Sequence, residues 1–463
     1  MASEPLSGGR SRSVTRCVNP VPEGALPFPH YPAPKRPTER VPFLDRPFAV
    51  DPESLAVWEL SEGSPLPETE GVKVNYPWFH LERPTGLCLS VTRACNLACR
   101  YCFVMNRPEL REGTMTPETA LKAIRLCDRS GTSISFFGGE PLLQFEMIKS
   151  VVEAAEWMCE RPAFHLTTNA TLMDDAKAEF LEQHGAAVLV SLDGPPEIHN
   201  RNRPLAARRG ARSSYDLTMA GLETLRRHGL SPRVTVRSTY TKECPDIAAQ
   251  LEHLNDLCDQ GFAGHVAVEP VSSSEASCVD PRVAATLGFT EDEARGLWEE
   301  YRRAFRWALD RVKARKRVRW HHLNHFAWRV VTRNPSPSEC GAGKGYIGID
   351  PQGRIFACHR EPGQPIGHLD LGVDEQARAI WLENRLHLRQ KCPTCWCRFI
   401  CGGGCRAESL EHEQDYARPY GAACVILQMV IAQTIELLSG LTDAQLRLLV
   451  KSDGRGVTPH GPA

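Results

Sequence analysis

Cysteine placement constrains this chain more than any other feature. Eighteen cysteines are spread over 463 residues, yet three crowd into residues 95–102 and six fall between Cys392 and Cys424. A chain of this length can bury a core without covalent cross-links. Clustered thiols in a reducing compartment point to metal ligation or catalysis rather than disulfides. The scattered ones (Cys17, Cys88, Cys127, Cys159, Cys244, Cys258 and Cys278) read as small apolar residues.

A formal net charge of −1 supplies no field to attract nucleic acid or an anionic membrane, so neither is expected as a partner. The opening MASEPLSGGRSRS has no apolar stretch after its basic residues, so it does not read as a secretory signal and a cytoplasmic location is expected. Val425 to Leu438 is the most apolar run. Polar Gln428, Gln433 and Glu436 interrupt it and it reads as too short to span a bilayer, so a packed helix is expected.

Residues 1–84 are rich in proline, with the first 40 expected to be disordered and 41–84 to form a small strand–helix appendage. From Thr85 the texture changes. Strand candidates Leu87–Val91, Ser133–Phe137, Phe164–Thr167, Val188–Leu192, Val234–Ser238 and His265–Val268 alternate with helix candidates at 117–128, 146–159, 174–184, 215–228 and 245–258. Six β-then-α units predict a parallel sheet with helices outside, an α/β partial (β/α)6 barrel like an incomplete TIM barrel, whose chemistry sits at the carboxyl ends of the strands. The domains are expected at 85–335 for this core, 336–430 for a cysteine- and glycine-rich region organised by metal, and 431–463 for a C-terminal helix and tail. The basic stretch from Glu291 to Trp320 reads as a solvated helix face, or as a docking surface for an acidic peptide or electron donor.

Cys95, Cys99 and Cys102 follow the first strand in a CxxxCxxC pattern with Tyr101 before the last cysteine. Three thiolates so spaced can wrap one side of a cubane and leave one iron bare; a zinc site would want a fourth ligand nearby, and none is evident. The pattern resembles the signature of the radical S-adenosylmethionine (SAM) superfamily. Further family signatures stand in order: Gly138-Gly139-Glu140-Pro141, Thr168-Asn169, Ser191-Leu-Asp193-Gly194, Arg203 and Arg237. The resemblance implies a [4Fe–4S] cluster whose bare iron chelates SAM. It also implies that the glycine loop and the exposed Glu140 carboxylate meet the SAM amino group, and that Ser191 meets its ribose or carboxylate. Arg203 and Arg237 become candidates for the carboxylate, a pairing guanidinium groups suit.

Cys340, Gly353, Cys358, Cys392, Cys395, Cys401, Cys405 and Cys424 resemble the SPASM extension, which carries two auxiliary [4Fe–4S] clusters in peptide-modifying members. By that pattern one cluster takes Cys392, Cys395, Cys401 and Cys424. The other takes Cys340, Cys358 and Cys405, one ligand short, with either Cys397 as the fourth or an open iron. The resemblance implies reduction by flavodoxin or ferredoxin, cleavage of SAM to methionine and a 5′-deoxyadenosyl radical, hydrogen abstraction, and loss of an electron to an auxiliary cluster. A peptide is the expected substrate, modified or cross-linked at a side chain in natural-product biosynthesis. Radical tailoring of a small molecule (nucleoside, sugar or aminocyclitol) and anaerobic sulfatase maturation are the alternatives. Sulfatase maturases carry an aspartate base after the cysteine matching Cys358; here that place is His359, the candidate catalytic base.

Overall fold

The computed structural model describes residues 16–17, 30–61, 64–74, 83–106, 112–207, 213–272, 286–336, 338, 340–361, 363–383 and 386–450. Six short strands come first: β1 (Arg16–Cys17), β2 (His30–Pro37), β3 (Glu39–Arg40), β4 (Phe48–Val50), β5 (Val57–Glu59) and β6 (Glu68–Val74). They form a four-stranded sheet β1-β5-β4-β3 and a two-stranded ladder β2-β6. Of the first 40 residues, expected to be disordered, 1–15 and 18–29 lie outside the described residues, and the described ones fall mostly in β1, β2 and β3. No helix occurs among the described residues of 41–84, where a strand–helix appendage is expected. Three prolines sit in or at the end of β2, which pairs on one side only, the edge position where strands tolerate proline.

The core sheet is parallel. Its strands β7 (Gly86–Thr92), β8 (Ser133–Gly138), β9 (Ala163–Thr168), β10 (Ala187–Ser191), β11 (Val234–Tyr240) and β12 (His265–Pro270) are neighbours in chain order. Helices α1 (Pro117–Leu126), α2 (Phe145–Met158), α3 (Asp175–Gln183), α4 (Ser214–Arg227) and α5 (Ile247–Asp259) return the chain between them. This is the expected partial barrel, with each strand within two residues of its predicted ends. Local chemistry fixes the helix starts. Thr116 caps α1 with Pro117 in the first turn, Asp174 caps α3, and Ser213 with Asp216 closes a capping box on α4.

Strand faces explain the polar interior. On β11 Val234, Val236, Ser238 and Tyr240 are buried toward the helices, while Thr235, Arg237 and Thr239 face a central cavity. The alternation places unlike side chains on opposite faces of one strand. β7, buried along its whole length, is the central strand of the sheet.

After α5 and β12 the chain forms α6 (Trp298–Lys313) and α7 (His321–Thr332). Arg315 in left-handed conformation separates them, so the predicted helical stretch 291–320 is broken before its end. Part of its basic set is paired: Arg302 with Asp45, Arg303 with Asp246, Arg311 with Asp256 and Asp259, and Arg319 with Asp259.

Strands β13 (Tyr346–Ile349), β14 (Arg354–Phe356), β15 (Gly367–His368) and β16 (Gly372–Val373) extend the core sheet to ten strands. β13 pairs in parallel with β7, setting Tyr346 beside Gly86 and Ile349 beside Leu89, and the rest is an antiparallel meander. The cysteine-rich region is therefore more regular than expected. It is also stapled to the core. The Arg93 guanidinium meets the Glu361 carboxylate at 2.5 Å and Ser90 donates to its other oxygen at 2.9 Å, all three side chains buried.

Helices α8 (Arg406–Glu413) and α9 (Gly421–Ser439) follow, with further helices at Glu375–Glu383 and Asp443–Leu449. At 19 residues, α9 is long enough to cross a bilayer, so length is not what argues against a span. Packing is: 67 % of its most apolar window is buried in protein, against α6, α7 and the short helix Glu291–Gly296.

Glu361→Leu strands a buried guanidinium and should cost about 3–5 kcal/mol in anaerobic urea unfolding. Adding Arg93→Met should restore most of that loss, since the apolar pair leaves no unpaired charge.

Candidate functional site

The carboxyl ends of β7–β12 open into one cavity of about 1070 Å³, bounded on its far side by the C-terminal region. Single ligand sites commonly run to roughly 300–1,000 Å³, so there is room for a cofactor and part of a substrate.

Cys95, Cys99 and Cys102 lie in the loop leaving β7 and all three line this cavity. They form no disulfide. The Leu97 amide donates to Cys95 Sγ at 3.4 Å, Asn169 Nδ2 approaches it at 3.9 Å, and Arg203 Nη1 approaches Cys99 Sγ at 4.0 Å. Burial pushes the Cys95 thiol up to about 11 and the Cys99 thiol to about 12. Such thiols ionise on taking a metal, and donors aimed at sulfur suit iron–sulfur ligation. Among the described residues, no three His, Cys, Asp or Glu side chains converge at single-ion distance. A cluster, whose ligands stand further apart, fits this loop.

The glycine loop is held by backbone. Gly139 N donates to Thr92 O at 2.6 Å and Glu140 N to Ala94 O at 2.8 Å, so the loop rides on the segment carrying Cys95. A Cβ on Gly138 would stand 2.2 Å from Thr92 O, and one on Gly139 2.2 Å from Ala94 O, so neither place admits a side chain. Both glycines line the cavity.

Glu140 lines the same cavity, with its carboxylate tied to protein. Its carboxylate is 1 % exposed and accepts from Thr168 Oγ1 at 2.6 Å, Asn169 N at 2.8 Å and Leu142 N at 3.1 Å. Desolvation pushes it up to about 7, against the lowering effect of those three donors. It is a buried tie between the β8 and β9 ends rather than an exposed carboxylate. Asn169, so tied, bonds Asn96 at 2.9 Å and thereby steadies the cysteine loop.

Asp193 gathers two expected residues, Tyr101 and Arg203. It is fully buried, pairs with Arg203 Nε at 3.0 Å, accepts from Thr239 N at 3.0 Å, and takes a short hydrogen bond from the Tyr101 hydroxyl. The Arg203 guanidinium lies 5.3 Å over the Tyr101 ring. Arg203's charge is thus already balanced within the protein. Arg237, facing the cavity from β11, has no carboxylate partner among the described residues and remains the better candidate for an anionic ligand group. Ser191, at the end of β10, lines the same cavity.

His359 also lines it, with Nδ1 2.9 Å from the Tyr346 hydroxyl and its ring 5.0 Å from Phe137 edge-on. The preceding Cys358 sits with Cys405 and Cys340, all three lining the cavity. Cys392, Cys395 and Cys424 stand apart from these and near one another. Cys397 goes with the second group. Its sulfur is 3.6 Å from Cys395 Sγ and close to Cys401 and Cys424. Expecting Cys397 to complete the set of Cys340, Cys358 and Cys405 is corrected by the fold: its place in the turn before Arg398–Cys401 buries it against the other sulfurs.

Sequence reasoning missed one wall. His321, His322, His325 and Trp328 of α7 line the cavity, with His322 Nε2 3.1 Å from Glu269 Oε2 at the end of β12. Arg360 joins this wall, bonding Ser272 at 3.0 Å and pairing with Glu408 at 3.4 Å and with Glu411. The HHxxH run was visible as three residues on one helical face, but nothing in the sequence said which way that face turned.

Residues 89–245 match the family model for the radical SAM superfamily. The chain is 25 % identical over 353 residues to a serine-type anaerobic sulfatase-maturating enzyme of Klebsiella aerogenes, covering 72 % of this chain and 80 % of that protein. It is 24 % identical over 351 residues to an AdoMet-dependent heme synthase of Oleidesulfovibrio alaskensis, covering 68 % and 81 %. Among solved structures, anSMEcpe with bound AdoMet superposes with a TM-score of 0.63 at 18 % identity, over 79 % of this chain and 98 % of that one. Streptococcus suis SuiB bound to its precursor peptide SuiA superposes at 0.50 and 19 %, over 74 % and 75 %.

Gly139→Ala should push the glycine loop off Ala94 and displace Cys95. Anaerobically reconstituted protein should then lose the iron of this site while keeping that of the C-terminal region, read by iron analysis and electron paramagnetic resonance.

Proposed function

The chain carries a radical SAM domain, and on that premise we propose that it oxidises a side chain of a ribosomally made peptide. One observation carries the reading: the cavity that meets Cys95, Cys99 and Cys102 on one wall meets Cys340, Cys358 and Cys405 on another. A substrate lying between them is within reach of both groups of thiols.

In this reading Cys95, Cys99 and Cys102 hold the [4Fe–4S] cluster that chelates SAM, and the C-terminal thiols hold two auxiliary clusters. Together these groups supply a carbon radical able to take hydrogen from an unactivated C–H bond, and a sink for the electron left behind. The chain's own residues do the rest. Gly138 and Gly139 let backbone approach the amino-acid end of SAM, Arg237 meets its carboxylate, and Ser191 its ribose. Asp193 locks Tyr101 and Arg203 beside the cysteine loop. The α7 wall and Arg360 close the cavity opposite, where positioning to about 3–3.5 Å and exclusion of water govern the outcome.

Peptide chemistry is supported by the relatives that carry it, sulfatase-maturating enzymes and a protein seen with a precursor peptide. Similarity to a heme synthase keeps a small-molecule substrate as the competing reading. A flavodoxin or ferredoxin is proposed as electron donor. On α6, Arg302, Arg303 and Arg311 are already paired with carboxylates of this chain.

Anaerobic protein given SAM and dithionite should release 5′-deoxyadenosine, and replacing Cys95, Cys99 and Cys102 together by alanine should abolish it. Short peptides bearing serine, cysteine or lysine, including any encoded beside this reading frame, should stimulate release and lose mass corresponding to hydrogen. Stimulation by tetrapyrroles or nucleosides and by no peptide would overturn the peptide reading.

A further inference from the structure

The loop Cys401-Gly402-Gly403-Gly404-Cys405 joins the two groups of C-terminal thiols, Cys401 lying in one and Cys405 in the other. Its three glycines are all left-handed, with φ of 75°, 94° and 68°, a run that favours glycine at each place. Under the loop lies Arg389. A Cβ on Gly403 would stand 3.5 Å from Arg389 Cδ and 3.2 Å from Leu386 Cδ1, so the backbone is laid directly on these side chains.

Arg389 is 3 % exposed and has no carboxylate partner among the described residues. Its Nη2 donates to Ser409 Oγ at 2.6 Å, and Ser409, fully buried, donates in turn to the Cys405 carbonyl at 3.0 Å. Its Nε is buried and meets no hydrogen-bond acceptor. The guanidinium stands close to Cys392 and Cys424. Arg406, 5 % exposed, stands close to Arg389 and also to Cys340 and Cys405. Buried cations need anions. The anions at hand are thiolates and the clusters they would hold.

We propose that Arg389 is the counter-ion of the auxiliary cluster held behind the cavity wall, at Cys392 and Cys424, and raises its reduction potential. This rests on the reading of two auxiliary clusters above and assigns the electron affinity of one of them to a residue.

Two other cations approach the same thiols, and both are otherwise provided for. Arg398, near Cys395, pairs with Glu39 at 3.0 Å and with Glu53 at 3.8 Å. Lys391, near Cys424, is exposed, where water and salt screen it. Reduction adds one negative charge to a cluster, so a fixed cation and an N–H donor in a dry place favour it. Arg389 thereby makes this end of the chain an acceptor for the single electron that substrate oxidation leaves. Being permanently charged, it takes up no proton in doing so. Ser409 keeps the guanidinium from turning away, and the absent side chain at Gly403 leaves it room.

The test is a redox titration followed by electron paramagnetic resonance on full-length protein reconstituted without oxygen. It is run in the Cys95/Cys99/Cys102→Ala background, or in wild type if that background does not fold. Cys392→Ala identifies the rear signal as the one it removes. Arg389→Met should keep the iron of both auxiliary clusters and lower the rear midpoint potential by about 60 mV, a tenfold loss in the reduction equilibrium. Arg389→Lys, which keeps the charge, should restore most of that loss. Retained iron with an unmoved rear potential in Arg389→Met overturns the proposal, as does a shift equally large in Arg389→Lys. Should Arg389→Met lose iron, Ser409→Ala decides: the rear potential should fall there with iron retained. An unmoved potential in Ser409→Ala, or loss of iron in that variant too, marks a purely structural arginine and overturns the proposal. Failure of the underlying reading shows separately, as wild-type protein with no auxiliary iron–sulfur signal.

Discussion

The parallel pairing of β7 with β13 is the contact on which the site depends. It makes the cysteine-rich region a continuation of the core sheet rather than an appendage on a linker. Hydrogen bonds in the ladder fix register, and register fixes which sulfurs face the cavity. Tyr346 opens β13 beside Gly86, so its phenol reaches both Cys88 of the core and the Cys358–His359 turn. The buried Arg93–Glu361 pair then holds the segment before Cys95 to the segment after Cys358. Two groups of thiols far apart in sequence become opposite walls of one chamber.

Within the core, two buried carboxylates organise the wall that carries Cys95, Cys99 and Cys102. Glu140 ties β8 to β9, and Asp193 ties the cysteine loop to β10, β11 and the helix Pro196–Asn202. Both are buried and hydrogen-bonded on both oxygens, the condition under which such a group stabilises a structure. The consequence is preorganisation. The loop bearing Cys95, Cys99 and Cys102 is positioned by protein contacts before any cofactor adds its own.

Much of this was legible beforehand. The six strands and five helices of the core announce themselves through period and capping residues, and strand ends coincide with the motif ends. The N-terminal strands were not legible, because Pro32, Pro34 and Pro37 read as breakers when only their sequence is known. Spacing alone also misled over Cys397. In the run CPTCWC it stands beside Cys392 and Cys395, and only the turn geometry says that it joins them rather than the distant three. Glu140 and Arg203 were expected to serve the cofactor directly. Both line the cavity, and the protein partners that also hold them are a property of packing, which no local pattern encodes.

Helix α9 carries a lesson about order of assembly. Its 19 residues are apolar enough to partition into lipid, and they emerge from the ribosome after every element they cover. Until α6 and α7 are in place to receive it, this rod has no protein surface to lie on.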